Sequence, residues 1–336
     1  MVKLITKLHR HFRMPFPLAD RFKSFLLLGF LLLASSLFGQ VSAVGPIEIS
    51  VSDLERETAF FRDVLAFEVA ATTEAEGVEQ DRRFALTGVK TRSTSLRLGE
   101  EKIVLTEFVA PRGRPVPADS RSPDHWFQHI AIVVRDMDEA YAALARAKVR
   151  HVSTAPQTLP LTNPAAGGIR AFYFQDPEDH VLEIIWFPPG KGNPRWQKPT
   201  DRLFLGIDHT AIVVADTDRS LAFYRDALGL TVAGRAENFG TEQEHLNQVF
   251  GARVRITGLA APDGGPGIEF LEYITPPGGR PLPPEARPND LLAWRVGLKM
   301  KTTAEDAARR ASGVAVSPAL MRDPDGHLIE WLPAQP

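Results

Sequence analysis

An internal repeat limits the folds that this chain can adopt. The segment HIAIVVRDMD at 129–138 recurs as HTAIVVADTD at 209–218, with seven of ten positions identical. Each copy begins with a histidine, His129 or His209, followed by apolar, largely β-branched residues that are typical of a buried strand. An aspartate near the end of each copy can cap a following helix. The repeat therefore predicts a fold assembled from similar modules.

Two further matches extend the repeat over most of the chain. The segment DPEDHVLEIIWFP at 176–188 resembles DPDGHLIEWLP at 323–333. A second group of residues recurs at a constant separation of 163 positions: Asp53, Ala59, Phe60, Arg62, Asp63 and Leu65 match Asp216, Ala222, Phe223, Arg225, Asp226 and Leu228. The chain therefore divides into four modules in the order A-B-A-B, which we number 1 to 4: 44–110, 111–190, 200–275 and 276–336.

Each module has the pattern of a strand, a capped amphipathic helix and several short strands. The predicted helix caps of modules 1 to 3 are Asp53, Asp136 and Asp216. Proline-rich segments separate the modules, as expected of connecting loops. The sequence thus predicts two similar domains, an N-terminal domain at 44–190 and a C-terminal domain at 200–336, each containing two modules.

Composition excludes several kinds of site. The 336 residues include no cysteine, so disulfides, thiolate metal sites and a cysteine nucleophile are absent. The net charge is −2 and no basic block occurs, so we expect no nucleic-acid partner.

The first 43 residues have the pattern of a secretory signal peptide. A basic start precedes the apolar run at 25–38, and the small residues that follow favour cleavage after Ala43. A start at Met14 would give a signal of more ordinary length. We expect a periplasmic or secreted protein without stable membrane insertion after cleavage. The alternative is a membrane anchor through residues 25–38, although this run is short for a span of about 20 residues.

The repeated modules, the histidine at the first strand and the glutamate after the Asp-Pro turn resemble the vicinal oxygen chelate superfamily. This superfamily includes glyoxalase I, extradiol dioxygenases and bleomycin resistance proteins, and the resemblance covers most of 46–333. It implies an α+β fold in which four βαβββ modules form two paired half-barrel domains. It also implies a divalent metal in the cleft between paired modules, held by a first-strand residue and a last-strand glutamate from each.

Carried over to this sequence, the resemblance nominates one residue of each kind in every module. The first-strand position holds Pro46, His129 and His209 in modules 1 to 3, and Ala293, Trp294 or Arg295 in module 4. The last-strand position holds Glu107, Glu183, Glu272 and Glu330. Only modules 2 and 3 therefore offer both an imidazole and a carboxylate.

The pairing of modules decides what site exists, and the sequence leaves two arrangements open. Pairing in chain order gives two clefts with one histidine each: Glu107, His129 and Glu183 in one, and His209, Glu272 and Glu330 in the other. The A-B-A-B duplication favours this arrangement. Pairing 2 with 3 and 1 with 4 instead collects His129, Glu183, His209 and Glu272 in one cleft, which explains why modules 1 and 4 lack histidine. A homodimer could also complete a deficient cleft.

Two imidazoles and two carboxylates suit Ni²⁺, Co²⁺, Mn²⁺, Fe²⁺ or Zn²⁺. The resemblance then implies a glyoxalase-type lyase or isomerase that acts on a small substrate with vicinal oxygens, with Glu183 or Glu272 as the proton-transfer base. One alternative is a non-enzymatic binding protein of the resistance type. Another is an extradiol dioxygenase, whose metal would come from modules 3 and 4, where module 4 lacks the required histidine.

Overall fold

The computed structural model describes residues 41–301 and 319–332. The predicted signal segment lies outside the described residues up to position 40, whereas Val41–Ala43 already belong to the first strand. Val41 is fully buried there, and its N–H donates to the Leu228 carbonyl. In the described part of the chain, every helix is too short or too polar to cross a lipid bilayer.

Each of the first three modules contains a long strand, a helix and further strands. Module 1 comprises β1 (Val41–Val51), α1 (Leu54–Asp63), β2 (Glu68–Glu76), α2 (Val78–Phe84), β3 (Lys90–Leu98) and β4 (Glu101–Ala110). Module 2 comprises β5 (Gln128–Val134), α3 (Met137–Arg146), β6 (Arg150–His151), β7 (Gln157–Thr158), β8 (Arg170–Gln175) and β9 (Val181–Trp186).

A 3₁₀ turn at Pro194–Gln197 lies in the connection between the two halves of the chain. Module 3 comprises β10 (Phe204–Val213), α4 (Thr217–Leu221) with a π-helical continuation (Ala222–Ala227), β11 (Thr231–Phe239), α5 (Thr241–Asn247), β12 (Arg253–Ala260) and β13 (Gly267–Thr275). The described strands of module 4 are β14 (Trp294–Met300), β15 (Ala319–Arg322) and β16 (Leu328–Leu332).

The three predicted helix caps are confirmed. Asp53, Asp136 and Asp216 each have extended backbone angles, and each side chain accepts a hydrogen bond from the N–H three residues later. This bond satisfies one of the donors that every helix leaves unpaired at its N-terminus, and so it fixes where α1, α3 and α4 begin.

The strands form two mixed sheets, and each sheet combines modules from different halves of the sequence. A seven-stranded sheet has the order β15-β16-β14-β1-β4-β3-β2, so it contains modules 1 and 4. A nine-stranded sheet has the order β11-β12-β13-β10-β5-β9-β8-β6, with β7 paired to β8, so it contains modules 2 and 3. Of the two arrangements that the sequence left open, the structure adopts the pairing of 2 with 3 and 1 with 4.

The two largest hydrophobic cores follow the halves of the sequence rather than the sheets. One core joins Ile47 and Phe61 of module 1 to Ile130 and Phe172 of module 2. A second core consists mainly of residues from modules 3 and 4, including Tyr224 and Ile329. Each half, 44–190 or 200–336, thus packs its two modules together, while strand pairing joins the halves to each other.

The two Asp-Pro turns attach modules 2 and 4 to helix N-termini in the other module of the same half. At the first turn, the Glu178 carboxylate accepts hydrogen bonds from the N–H groups of Ser52 and Asp53, at the start of α1. At the second turn, Asp325 accepts from the Ala215 N–H and the Ser220 hydroxyl, at the start of α4. A carboxylate is favourable there because a helix N-terminus presents unpaired N–H groups and partial positive charge.

The histidines of these turns have a structural role. His180 Nδ1 lies 2.8 Å from Asp176 Oδ2, and His327 Nδ1 lies 2.9 Å from Asp323 Oδ2. Each aspartate also accepts the backbone N–H of its histidine, which closes the turn.

Candidate metal centre

Strand register brings His129 and His209 to one place on the nine-stranded sheet. β5 and β10 are antiparallel neighbours in which His129 pairs with Ala211 and His209 pairs with Ala131. The two histidines therefore lie on adjacent strands and are offset by two residues along the strand direction. Because side chains alternate between the faces of a sheet, both imidazoles project from the same face. Their ring centroids are 5.8 Å apart.

Glu183 reaches the same point from β9. This strand runs parallel to β5, and Glu183 pairs with Ala131, which pairs with His209 on its other side. One Glu183 carboxylate oxygen, Oε2, is 3.1 Å from His129 Nε2 and 3.6 Å from His209 Nε2. All three residues are buried. The predicted grouping of His129, Glu183 and His209 is therefore present in the structure.

The carboxylate of module 3 that lies beside the histidines is Glu269, and not Glu272 as predicted. Glu269 pairs with Ala211 on β10, as Glu183 pairs with Ala131 on β5, so the two glutamates occupy equivalent positions. Glu269 Oε1 is 3.5 Å from His209 Nε2. Glu272 is three positions further along β13 and therefore on the other face. Its carboxylate instead accepts hydrogen bonds from the Thr217 N–H and from Arg255 Nη1.

A sequence pattern could have identified Glu269. Glu183, Glu269 and Glu330 are each the third residue of their strand, and each follows Leu or Ile. The segment GIEFLEY contains two glutamates, and choosing between them requires the first residue of the strand, which hydrophobic pattern alone does not define.

Asp208, which no sequence pattern singled out, orients His209. Asp208 Oδ2 lies 3.1 Å from His209 Nδ1, and the indole N–H of Trp196 donates to Asp208 Oδ1 over 2.7 Å. This contact at Nδ1 leaves Nε2 of His209 directed at the two glutamates. A carboxylate behind a histidine ligand is a common second layer of metal sites, where it fixes the ring and raises its basicity.

The two histidines have opposite electrostatic environments. Burial is the largest influence on His129 and lowers its pKa, despite the opposing charge of Glu183. Burial also acts to lower the pKa of His209, but Glu269, Asp208 and Glu183 outweigh it and raise that pKa to about 10. Burial raises the pKa of Glu269 to about 7; the charge of His209 opposes this shift, and the charges of Glu183 and Asp208 add to it.

The donor atoms fit a divalent ion. Atoms that bind one ion at about 2.1 Å in adjacent positions lie roughly 3 Å apart. Glu183 Oε2 is 3.1 and 3.6 Å from the two imidazole nitrogens, and one ligand atom from each of His129, Glu183 and His209 lies within 4.8 Å of the other two. Glu269 joins this group through His209, at 3.5 Å. Both ring nitrogens of His129 are buried, and neither makes a well-formed hydrogen bond within the described part of the chain. An unpaired buried polar atom is costly unless something else binds it, and a metal ion would do so at Nε2. All four residues belong to one chain, so this site does not require a second subunit.

The equivalent position of the seven-stranded sheet is occupied by an ion-pair network. Arg295 occupies the position in module 4 that corresponds to His129 in module 2. Arg295 on β14 pairs with Glu48 on β1, and His129 on β5 pairs with Ala211 at the equivalent position of β10. Arg295 is fully buried and lies 3.0 Å from Glu48 Oε1. Arg83 bridges Glu48 at 2.8 Å and Glu330 at 2.5 Å. Two guanidinium groups therefore neutralise the carboxylates in this cleft.

The predicted glutamate of module 1 does not join that network. Glu107 pairs with Arg92 on β3, and Arg92 Nη1 lies 3.4 Å from its carboxylate. The residue equivalent to Glu269 is Val104, which pairs with Glu48. Modules 3 and 4 are in different sheets, so the ligand arrangement considered for an extradiol dioxygenase is not assembled.

A cavity of about 820 Å³, including its open mouth, adjoins the cluster. We call it the site cavity. Glu183, His209 and Glu269 are part of its wall. Its other walls come from modules 2 and 3: Leu159, Ala165, Ala166, Ile169, Ala171, Tyr173, Ile185, Gly234, Arg235, Ala236, Asn238, Gln243, Leu246, Ile256, Gly258 and Leu271. A small molecule in this cavity would contact the carboxylates directly.

Comparison with solved structures supports the fold. Glyoxalase I from Zea mays is 14% identical, with 87% of this chain and 91% of that chain covered and a TM-score of 0.51. A candidate dioxygenase from Bacillus subtilis subsp. subtilis str. 168 is also 14% identical, with 89% and 87% covered and a TM-score of 0.52. At these identities the similarity concerns the fold alone. No curated protein sequence matches the chain.

The family model of the Glyoxalase/Bleomycin resistance protein/Dioxygenase superfamily matches residues 43–184 and 206–331, which together are most of the sequence. Both matched segments contain one A and one B module, in agreement with the repeat. The chain therefore belongs to the Glyoxalase/Bleomycin resistance protein/Dioxygenase superfamily.

Proposed function

We propose that this protein is a metal-dependent enzyme of the glyoxalase type, a lyase or isomerase acting on a small substrate with vicinal oxygens. The observation that carries the proposal is the meeting of His129 with His209, Glu183 and Glu269, the last three of which line one cavity. These four residues would hold the ion, with Asp208 orienting His209. A bound divalent ion supplies Lewis-acid polarisation of a substrate oxygen.

The two glutamates have different contacts, which suggests different roles. Glu183 is close to both imidazoles, whereas Glu269 is close to His209 alone. We assign Glu183 to holding the cluster together. We assign Glu269 to moving a proton to or from the substrate carbon, because it has fewer contacts to lose when it turns towards the cavity. Glu269 thus takes the proton-transfer role that the sequence had suggested for Glu183 or Glu272.

Metal analysis of purified protein tests the proposal. We expect about one divalent ion per chain in the wild type, and loss of that ion in His129→Ala and also in His209→Ala, because both residues serve one site. His245→Ala is a matched control, since His245 is exposed on α5 and should leave the metal content unchanged. A wild-type protein that binds no added Co²⁺, Ni²⁺, Mn²⁺, Fe²⁺ or Zn²⁺ would instead favour a metal-free binding protein.

Export is a separate part of the proposal and rests on the basic and apolar pattern of residues 1–43. A cut after Ala43 would remove three residues of β1, among them the buried Val41. We therefore expect N-terminal sequencing of the periplasmic protein to place the cut before Val41. Recovery of the full-length chain in the membrane fraction would support an uncleaved anchor.

A further inference from the structure

A pair of glycines lies beside Glu269 in the nine-stranded sheet. Gly258 on β12 pairs with Glu269 on β13, and Gly234 on β11 pairs with Gly258. These paired residues form one row across the sheet, and on the other side of Glu269 the row continues through Ala211 to His129. Both glycines line the site cavity. The two positions of the row next to Glu269 therefore have no side chain.

Neither glycine is required by backbone conformation or by close packing. Both lack the positive φ angle that would favour glycine. A Cβ atom added at Gly234 would have no atom within 4 Å, and one added at Gly258 would meet only the Gly234 backbone at 4.0 Å. Glycine inside a strand weakens it and often marks a place where a ligand approaches the backbone. What these glycines provide is open space next to Glu269.

The seven-stranded sheet has side chains at the same positions. Ala71 pairs with Ser95 on β2 and β3, and Ser95 pairs with Val104. These residues precede Gly234 and Gly258 by 163 positions, the separation that relates the two halves. The positions without side chains thus occur in the sheet that has the histidine cluster. The sheet that has the arginine network has side chains at these positions.

The surrounding walls favour an uncharged, apolar molecule. Ile169, Ile185, Leu246, Ile256 and Leu271 line the site cavity. Apart from Glu183, His209 and Glu269, the one charged residue among the described wall residues is the exposed Arg235. A substrate with several charges would lose its hydration without gaining enough counter-charges in return.

Gln243, in the wall of the site cavity, can favour a ligand that donates a hydrogen bond. Gln243 is 2% exposed, and its Nε2 donates to Asn247 Oδ1 over 2.6 Å. Its Oε1 is buried and accepts no hydrogen bond from the described residues. A buried acceptor without a partner is stabilised by a ligand that supplies an O–H or N–H group.

We propose that Gly234 and Gly258 form the floor of the substrate site and select an uncharged molecule with a flat apolar body, such as an aryl ring, next to its vicinal oxygens. This inference rests on the proposed metal site for the position of those oxygens. The glycines are specificity-determining residues, because filling the space above them would exclude the body of the substrate and leave the ligand cluster intact.

The first experiment compares two chelating probes on Co²⁺-loaded, full-length protein. Benzohydroxamic acid and acetohydroxamic acid have the same chelating group, and only the first has a ring. Cobalt absorption bands report the binding of each. We expect wild-type protein to prefer benzohydroxamic acid at least ten-fold, and Gly258→Leu to reduce this preference below two-fold with unchanged Co²⁺ affinity. Ala71→Leu, at the position of the other sheet that corresponds to Gly234, is the control and should behave as wild type.

A second experiment separates failure of the floor from failure of the metal site. Binding of 2-naphthol, an uncharged ring with one hydroxyl donor, is followed by fluorescence in metal-free protein. Loss of this binding in Gly258→Leu and its retention in Ala71→Leu support the floor even if Co²⁺ does not bind. Equal binding of 2-naphthol or of benzohydroxamic acid by wild type and Gly258→Leu would overturn the proposal, as would an absent preference for the ring in wild-type protein that binds Co²⁺.

Discussion

Glu57 gives a direct test of the electrostatics at the junction of modules 1 and 2. This residue lies on α1 and is fully buried, and neither of its carboxylate oxygens has a hydrogen-bond donor in the described part of the chain. Burial raises its pKa from 4.5 to about 10, and the negative charges of Asp176 and Glu178 act in the same direction. The native protein therefore holds Glu57 protonated at neutral pH.

The sign of the pH dependence follows from this shift. Above pH 4.5 the unfolded chain releases the Glu57 proton, whereas the folded protein retains it until about pH 10. Stability should therefore fall as pH rises through this range, by about 1.4 kcal/mol per pH unit from this group. Between pH 5 and pH 8 the contribution amounts to about 4 kcal/mol.

The substitution Glu57→Gln removes the titration and keeps a neutral side chain of similar size. We expect its free energy of unfolding, measured with urea, to change relative to wild type by up to about 4 kcal/mol in favour of the variant between pH 5 and pH 8. A difference between variant and wild type that is the same at both pH values would refute the reasoning.

Glu55→Gln on the same helix is the control for this measurement. Glu55 is exposed, and its hydrogen bond with Arg92 lowers its pKa. Its contribution to stability is therefore complete above about pH 4.5 and is lost only at lower pH, so the control should show almost no change relative to wild type between pH 5 and pH 8.

Three further predictions concern the two clefts. Glu269→Gln should weaken Co²⁺ binding by ten-fold or more, whereas Glu272→Gln should leave it within two-fold, as measured by titration of the apoprotein, because only Glu269 contacts the histidine cluster. Asp208→Asn should weaken Co²⁺ binding by about 10- to 100-fold through loss of the orientation of His209, and equal affinity in this variant would show that the contact at Nδ1 is not needed. Arg295→Met should lower the free energy of unfolding by about 3–5 kcal/mol, because Glu48 keeps a buried charge without that partner, and an unchanged urea midpoint would contradict this reading of the network.

The sequence was sufficient to predict the family fold, the helix caps and three of the four clustered residues. These features depend on local pattern: a capping aspartate is followed by its helix, and His129, His209 and Glu183 lie in strands whose repeats are long and well conserved between the two copies. The choice of Glu272 over Glu269 failed because it needed a strand register to within one residue. A shift of one residue moves a side chain to the opposite face.

The pairing of modules and the arginine network were beyond the reach of sequence pattern for a different reason. Which strand edges meet depends on tertiary packing of the whole chain, and both arrangements satisfy the same local preferences. Arg295 is preceded by Ala293 and Trp294 in a strand whose start was uncertain by two residues, so its place opposite Glu48 could not be assigned.

The two halves of the chain meet along two antiparallel seams, β1 with β14 and β5 with β10. Each half buries an apolar core of its own, yet leaves one long strand edge open in each of its modules, and the other half supplies matching edges in register. Mutual recognition of the halves therefore does not depend on the peptide that links them. Fragments 41–199 and 200–336 produced as separate chains, with Trp196 retained in the first, should reassemble, and the histidine cluster would form only when they do.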